Sequence, residues 1–389
     1  LEHLLNPSVR HIQISGIRTF YNLVSQYPDA ISFTLGLPDF PTPEHIKDAA
    51  KQAIDENKTV YSHNAGYLEL RKAASSFLNE KYGMEYHPEH EVIVTNGASE
   101  AIDISLRTIL DEGCDVLLPG PVYPGYAPVI EMCKANPVYV DTTKSGFKLN
   151  AELIQEHLTP NTRCVILPYP SNPTGCILSP GELKEIADVL KDQDVFVLSD
   201  EIYSELTYEQ DHVSIASMPG MKEKTIVING LSKSHSMTGW RIGLVFAPAE
   251  ISKHLLKVHQ YNVTCASTIS QMAAIEALTA GKDDALPMKK EYSKRLEFVI
   301  RRLTEMKLHA EKPGGAFYIF PDISPYGITS LEFATKLLEK ERVAVVPGSA
   351  FSELGEGYIR ISYAASMEQL SAGLDRLESF LKSLSITNP

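Results

Sequence analysis

The first group in this chain whose setting calls for a chemical explanation is Lys233. It stands in Asn229-Gly230-Leu231-Ser232-Lys233-Ser234, directly after the apolar run Thr225-Ile226-Val227-Ile228. A solvated surface lysine needs no such surroundings. A half-buried amine among small residues loses its proton readily, which suits Schiff-base formation and general-base work. Arg241 lies eight residues on, in Gly239-Trp240-Arg241-Ile242-Gly243, where it can offer a guanidinium fork to a phosphate.

Three further polar clusters follow apolar runs in the same way. Thr95-Asn96-Gly97-Ala98-Ser99 stands where a helix begins, and small residues there let free N–H groups and the positive helix end meet an anion. Taken alone, an ordinary capped helix start explains it better. Tyr169-Pro170-Ser171-Asn172-Pro173-Thr174-Gly175 is a stiff turn, open to a cis bond before Pro173, that can aim the Asn172 amide, although a purely structural loop would look similar. Ser199-Asp200-Glu201-Ile202-Tyr203 puts a carboxylate at the mouth of a buried run. That placement is costly unless a cation or donor meets it, while a capping aspartate is the common alternative. Asp200 and Tyr203 could face one ligand. Arg360, in Tyr358-Ile359-Arg360-Ile361-Ser362, needs an anionic partner within an apolar alternating stretch, either an internal carboxylate or a bound one.

The elements that must position these groups follow from periodicity. Short, branched, fully apolar runs at Val92–Val94, Val116–Leu118, Val138–Val140, Cys164–Leu167, Val195–Leu198, Thr225–Ile228 and Leu244–Ala247 predict strands covered on both faces. Helical spacing separates several of them, at Ala98–Ile109, Pro180–Leu190 and Ala249–Gln260. This alternation predicts an α/β domain with a mostly parallel sheet, whose ligands bind beyond the carboxyl ends of the strands. A long amphipathic helix, Leu286–Lys307, with Met288, Tyr292, Leu296, Val299, Leu303 and Met306 as its buried stripe, is expected to lead into a second unit. That unit holds strands at Ala316–Phe320, Val343–Val346 and Tyr358–Tyr363, a helix at Ser330–Lys340 and a C-terminal helix. The early prolines Pro38, Pro41 and Pro43 are expected to wrap back onto it.

Composition bounds the partners. The chain has 389 residues, 43% hydrophobic and 22% charged, and a formal net charge of -13. Such acidity argues against nucleic acid or an anionic membrane surface, which are held by neutralising phosphates with Lys and Arg. Five scattered cysteines without a C-x-x-C pair fit a reducing cytoplasm, and the histidines lack metal-ligand spacing, so no metal is expected. No apolar run approaches a membrane span, and Leu1–Arg10 lacks a signal-peptide core.

Ser232-Lys233 followed by Gly239-Trp240-Arg241-Ile242-Gly243 resembles the lysine signature of class I/II aminotransferases, fold type I of the pyridoxal-phosphate enzymes. Gly36-Leu37-Pro38-Asp39-Phe40, Ser171-Asn172-Pro173-Thr174-Gly175 and Asp200-Glu201-Ile202-Tyr203 fall in the same order as in that family, over essentially the whole chain. The resemblance implies a large cofactor domain with a seven-stranded sheet, residues 46–285, and a smaller α+β domain from residues 1–45 and 286–389. It implies pyridoxal 5′-phosphate, with Lys233 as covalent anchor and proton carrier, Asp200 on the pyridine nitrogen, Tyr203 and Asn172 on the phenolic oxygen, and Tyr123 stacked on the ring. Gly97, Ala98, Ser99 and Arg241 would hold the phosphate, with Tyr61 reaching in from the neighbouring subunit of a homodimer. Arg360 and Asn172 would take the substrate α-carboxylate, with help from the Gly36 backbone.

The implied reaction is transamination between an L-amino acid and a 2-oxo acid, with 2-oxoglutarate as acceptor and N-acetyl-LL-2,6-diaminopimelate of lysine biosynthesis as donor. Alternatives are a lyase on the same fold, or an aspartate or aromatic aminotransferase. A DNA-binding regulator built on such a domain would need a basic N-terminal extension, for which the early Gly36–Phe40 motif leaves no room. Two departures from relatives stand out. Gly230 occupies a position where some carry a phosphate-binding serine, a role open to Ser232. Ser99 stands where some aspartate aminotransferases carry a lysine for the distal carboxylate, which weakens a plain aspartate assignment.

Overall fold

A computed structural model describes residues 1–384. After a short strand β1 (Ile31–Ser32), seven strands form one sheet: β2 (Val92–Thr95), β3 (Asp115–Gly120), β4 (Asn136–Asp141), β5 (Thr162–Leu167), β6 (Phe196–Asp200), β7 (Thr225–Gly230) and β8 (Gly243–Phe246). Their spatial order is β2-β8-β7-β6-β5-β3-β4, parallel throughout except that β8 runs against both of its neighbours. The seven apolar runs read from the sequence are these seven strands, because full burial on both faces leaves no polar position to break the run.

Alternate residues of each strand serve opposite layers. Ile226 and Ile228 of β7 face the helices Ala98–Ile109 and Ala249–Val263, whereas Val227 faces the layer containing Leu70, Phe77 and Ala273. Each large apolar side chain buried this way contributes roughly 1.5–3 kcal/mol relative to exposure. Gly243 opens β8 so close to the Gly97–Ala98 backbone that a Cβ there would lie 2.6 Å from the Ala98 nitrogen and 2.6 Å from the Thr95 Oγ1.

A second core gathers Phe20, Phe33 and the buried stripe Met288, Tyr292, Leu296, Val299 and Leu303 of the helix Ala285–Glu305. Two short ladders cap it. β1 pairs in parallel with β10 (Val343–Ala344), while β11 (Val346–Pro347) and β9 (Tyr318–Ile319) flank β12 (Ile359–Ser362) antiparallel. The strand expected at 343–346 is therefore two strands. The chain changes partner at Val345, from Ile31–Ser32 to Ile359–Arg360, and Pro347 has no N–H to carry the ladder further. The strand expected at 316–320 is likewise only Tyr318–Ile319, because Ala316 turns to a φ of 58°. The helix Ser330–Glu341 and the C-terminal helix Met367–Ser383 complete this core, and no helix among the described residues is long and apolar enough to cross a membrane.

Gly243→Ala should lower the thermal unfolding midpoint, at a cost of roughly 1–3 kcal/mol or more for overpacking against backbone that cannot yield. Gly239→Ala, where a Cβ meets nothing within 4 Å, should shift it far less. Comparable midpoints for the two variants would contradict the packing described here.

Candidate active site

The parallel strands β2, β5, β6 and β7 end at one edge of the sheet, and β8 begins there, so the loops carrying the four polar clusters converge. Between them lies a cavity of about 380 Å³. Ala98, Ser99, Tyr123, Asn172, Asp200, Tyr203, Ser232, Lys233, Arg241 and Arg360 all line it, together with Gly36.

Lys233 sits in the four-residue helical turn Leu231–Ser234 that follows β7. Its Nζ donates to the Gly36 carbonyl and lies 5.7 Å from the centre of the Tyr203 ring. Among the described residues no carboxylate forms an ion pair with it. Burial, and then the positive fields of Arg360 and Arg241, lower its pKa to about 8, against a weaker opposite pull from Asp200. The amine thus gives up its proton far more readily than an ordinary lysine, as a nucleophile or base requires.

Asp200, only 6% exposed, ends β6. It accepts a 2.7 Å hydrogen bond from the Tyr126 hydroxyl and a 3.3 Å bond from the Ile202 N–H. Burial pushes its carboxyl above the ordinary carboxylate range, and the Tyr126 bond pulls the other way. Among the described residues no cation forms an ion pair with it, so the site holds a carboxylate that a cationic group of a ligand would satisfy.

Arg360 is the complementary case. Its side chain is 2% exposed and lies between the rings of Tyr318 and Phe351, with its guanidinium carbon 4.3 Å and 5.1 Å from their centres. Nη1 donates to the Asn172 Oδ1 at 2.8 Å and Nη2 to the Thr34 carbonyl at 2.7 Å, while Nε has no partner. Both acceptors are neutral. A buried guanidinium with five N–H donors and no carboxylate is set for an anion.

At the other end of the cavity, Gly97 adopts a φ of 80° and caps the helix Ala98–Ile109. A Cβ on Gly97 would collide with the Arg241 guanidinium, which is held by the carbonyls of Thr238 and Asn96 at 3.0 and 3.4 Å. Tyr123 hydrogen-bonds Ser99, and its hydroxyl is pushed up chiefly by burial. An anion at this end meets a guanidinium, a hydroxyl and the N-terminus of a helix.

The sequence had also raised a cis bond at Asn172–Pro173, and that bond is cis, as are Gly120–Pro121 and Tyr169–Pro170. Tyr61 does not join the cavity of its own chain. It is 82% exposed. Sequence reasoning missed Tyr126, Tyr318, Thr34 and Arg295. The Tyr318 hydroxyl is 2.8 Å from that of Tyr203, and Arg295 grips Asp39 with 2.8 and 2.9 Å bonds, holding the loop that presents Gly36. Trp240 ties the same region down by donating to the Thr42 Oγ1 at 3.1 Å. Of these, only Tyr126 had a local signal, in its proximity to Tyr123.

A family model described as aminotransferase class I and II matches residues 28–377. A Bacillus subtilis protein named probable N-acetyl-LL-diaminopimelate aminotransferase is 62% identical over 98% of this chain and 96% of its own. A Pyrococcus abyssi aspartate aminotransferase is 42% identical over 99% of this chain and 98% of its own. The solved structure of a Mycobacterium tuberculosis N-succinyldiaminopimelate aminotransferase superposes with a TM-score of 0.91 at 30% identity, covering 96% of this chain and 99% of that one.

In the apoprotein, amine-reactive labelling of Lys233 should reach half its maximal rate near pH 8, well below ordinary lysines. Removing the Arg360 charge with Arg360→Gln should move that midpoint upward. A midpoint that stays put in the variant, followed by peptide mass spectrometry, would show that the guanidinium does not act on the amine.

Proposed function

The chain belongs to the class I and II aminotransferases, which move an amino group between an L-amino acid and a 2-oxo acid, and from that premise we propose its cofactor, site roles and donor. The cofactor is pyridoxal 5′-phosphate and the preferred donor an N-acylated LL-diaminopimelate, with 2-oxoglutarate as acceptor. One observation carries the reading: a single cavity gathers an amine with lowered pKa, a buried carboxylate without a cation and a buried guanidinium without an anion.

These three unmet demands fit the cofactor and an amino acid together. Lys233 would anchor the cofactor, Asp200 would face its ring nitrogen, and Asn172 and Tyr203 its phenolic oxygen. Tyr123 would lie against the ring. Gly97, Ala98, Ser99, Ser232 and Arg241 would hold the phosphate. When bound, the cofactor supplies a carbonyl carbon that joins amines and a ring that withdraws electrons from the substrate Cα–H bond.

The chain's own residues do the rest. Arg360, steered by Asn172, binds the α-carboxylate through its free donors and fixes the substrate's orientation. Lys233 Nζ, whenever not bonded to the cofactor, would be a base of lowered pKa placed to take the substrate Cα proton and return it elsewhere. Tyr126 keeps the Asp200 carboxyl oriented and opposes the rise in pKa that burial causes.

The donor rests on the 62% identical relative and on the N-succinyldiaminopimelate enzyme of similar fold. A homodimer is part of the proposal. Val60, Tyr61 and Tyr261 are 70%, 82% and 85% exposed, on segments joined by the 2.7 Å bond from Asn64 Nδ2 to the Thr264 carbonyl. Exposed aromatic surface on rigid backbone suits an interface, through which Tyr61 would serve the neighbour's phosphate. The domain division at residues 46–285 and the cytoplasmic location, in keeping with five free thiols, belong to the same reading.

Lys233→Ala should reduce transamination by roughly 10²–10⁴-fold or more. Wild-type holoenzyme mixed with single donors should lose its aldehyde-form absorbance fastest with N-acetyl-LL-diaminopimelate. Near wild-type turnover in the variant would defeat the anchor assignment, and a faster half-reaction with aspartate or phenylalanine would defeat the donor.

A further inference from the structure

The helix Ala98–Ile109, whose start would hold the phosphate, carries an acid where an anion site should have none. Glu100 is the acidic residue of its first turn. In an isolated helix a carboxylate there is favourable, because it meets the positive helix end. Beside a phosphate it competes for that same end and repels the ligand. Its contacts are nevertheless specific. Glu100 Oε2 accepts a 2.6 Å hydrogen bond from the Asn96 N–H, and the Asn96 carbonyl accepts from Arg241 Nη2 at 3.4 Å. Gly97 has no side chain with which to cap the helix. The Glu100 carboxylate therefore holds the peptide against which Arg241 rests.

The other oxygen of that carboxylate meets His259, on the helix Ala249–Val263. His259 Nδ1 lies 2.9 Å from Glu100 Oε1, and Nε2 lies 3.0 Å from the Asn64 carbonyl. The His259 side chain is fully buried and that of Glu100 is 9% exposed. A carbonyl can only accept, so Nε2 carries a proton. A second proton must lie between Nδ1 and Oε1, because two bare lone pairs would otherwise face each other at hydrogen-bond distance. Whether the ring or the acid holds it, the pair shares that proton and is neutral as a whole. Among the described residues no other cation pairs with Glu100.

We propose that His259 is a positioning residue for the cofactor phosphate: it cancels the charge of Glu100, so that this carboxylate can hold the Asn96 peptide and Arg241 in place without repelling the anion. This rests on the pyridoxal-phosphate reading above. His259 touches neither the phosphate-holding residues nor the reacting groups, and it acts only through Glu100. A carboxylate left without the shared proton would keep its hydrogen bond to Asn96 but set a buried negative charge beside the anion it helps to bind.

The test titrates the full-length chain, freed of cofactor, with pyridoxal 5′-phosphate, and then with inorganic phosphate as its competitor, following protein fluorescence. Glu100→Gln should bind both within about threefold of wild type, because an amide can donate to Nδ1 of a neutral ring and still accept from Asn96. His259→Gln should weaken both by about tenfold or more. Adding Glu100→Gln to His259→Gln should recover most of that loss, which a purely structural role of the ring would not allow. A double variant as weak as His259→Gln would overturn the proposal, as would wild-type affinity in His259→Gln or a tenfold loss in Glu100→Gln. If His259→Gln does not fold, the double variant still decides. It has no carboxylate to neutralise, so affinity close to that of Glu100→Gln supports the proposal and a far weaker one overturns it. Wild-type chain that takes up no pyridoxal 5′-phosphate would remove the cofactor reading and the role of His259 together, an outcome distinct from all of these.

Discussion

The site depends on positive charge gathered around one cavity with no ion-pair partner among the described residues. Lys233 and Arg360 are brought to one cavity, with Arg241 at its far end, and the single carboxylate among them, Asp200, pairs with none of the three. Desolvation alone would lower the Lys233 pKa, and the two guanidinium groups lower it further. Excess positive charge of this kind suits anionic ligands, such as the phosphate and the α-carboxylate proposed above. The net charge of -13 therefore says little about the site, whose local field has the opposite sign.

Rigidity keeps these charges from relaxing away. Arg360 packs on two rings and donates to two neutral acceptors, which hold its guanidinium without neutralising it. Asp200 in turn ends a strand buried on both faces and is fixed by Tyr126. Gly97 and Gly243 allow the backbone to approach the Arg241 region so closely that any side chain would displace it. Stability and chemistry are coupled here, since the same tight packing that stabilises the strand ends also prevents charge neutralisation within the chain.

The two cores divide the labour of positioning. The sheet and its two helical layers carry the amine, the carboxylate and the loop of Gly97 and Ser99. The second core carries Arg360 on β12 and, through Arg295 and Asp39, the loop of Gly36. Lys233 donating to the Gly36 carbonyl, and Arg360 to Asn172, join the two sets across the cavity. A substrate α-carboxylate gripped by Arg360 would thus be placed relative to Lys233 by contacts that already exist without it.

The strands and most of the candidate site were legible in the residues themselves. A strand buried on both faces must be an unbroken apolar run, and a polar cluster at its end is then conspicuous, so Lys233, Asp200 and Asn172 could each be named from local sequence, and Arg360 as a charge inside an apolar alternating stretch. Tyr126 and Tyr318 could not. They meet Asp200 and Tyr203 across 74 and 115 residues, and a tyrosine in an apolar run reads as core until the partner is known. Tertiary structure alone also decided the strand order and the change of partner at Val345. Hydrogen bonds and ion pairs between distant segments depend on how elements pack, whereas periodicity records only which face of each element is buried.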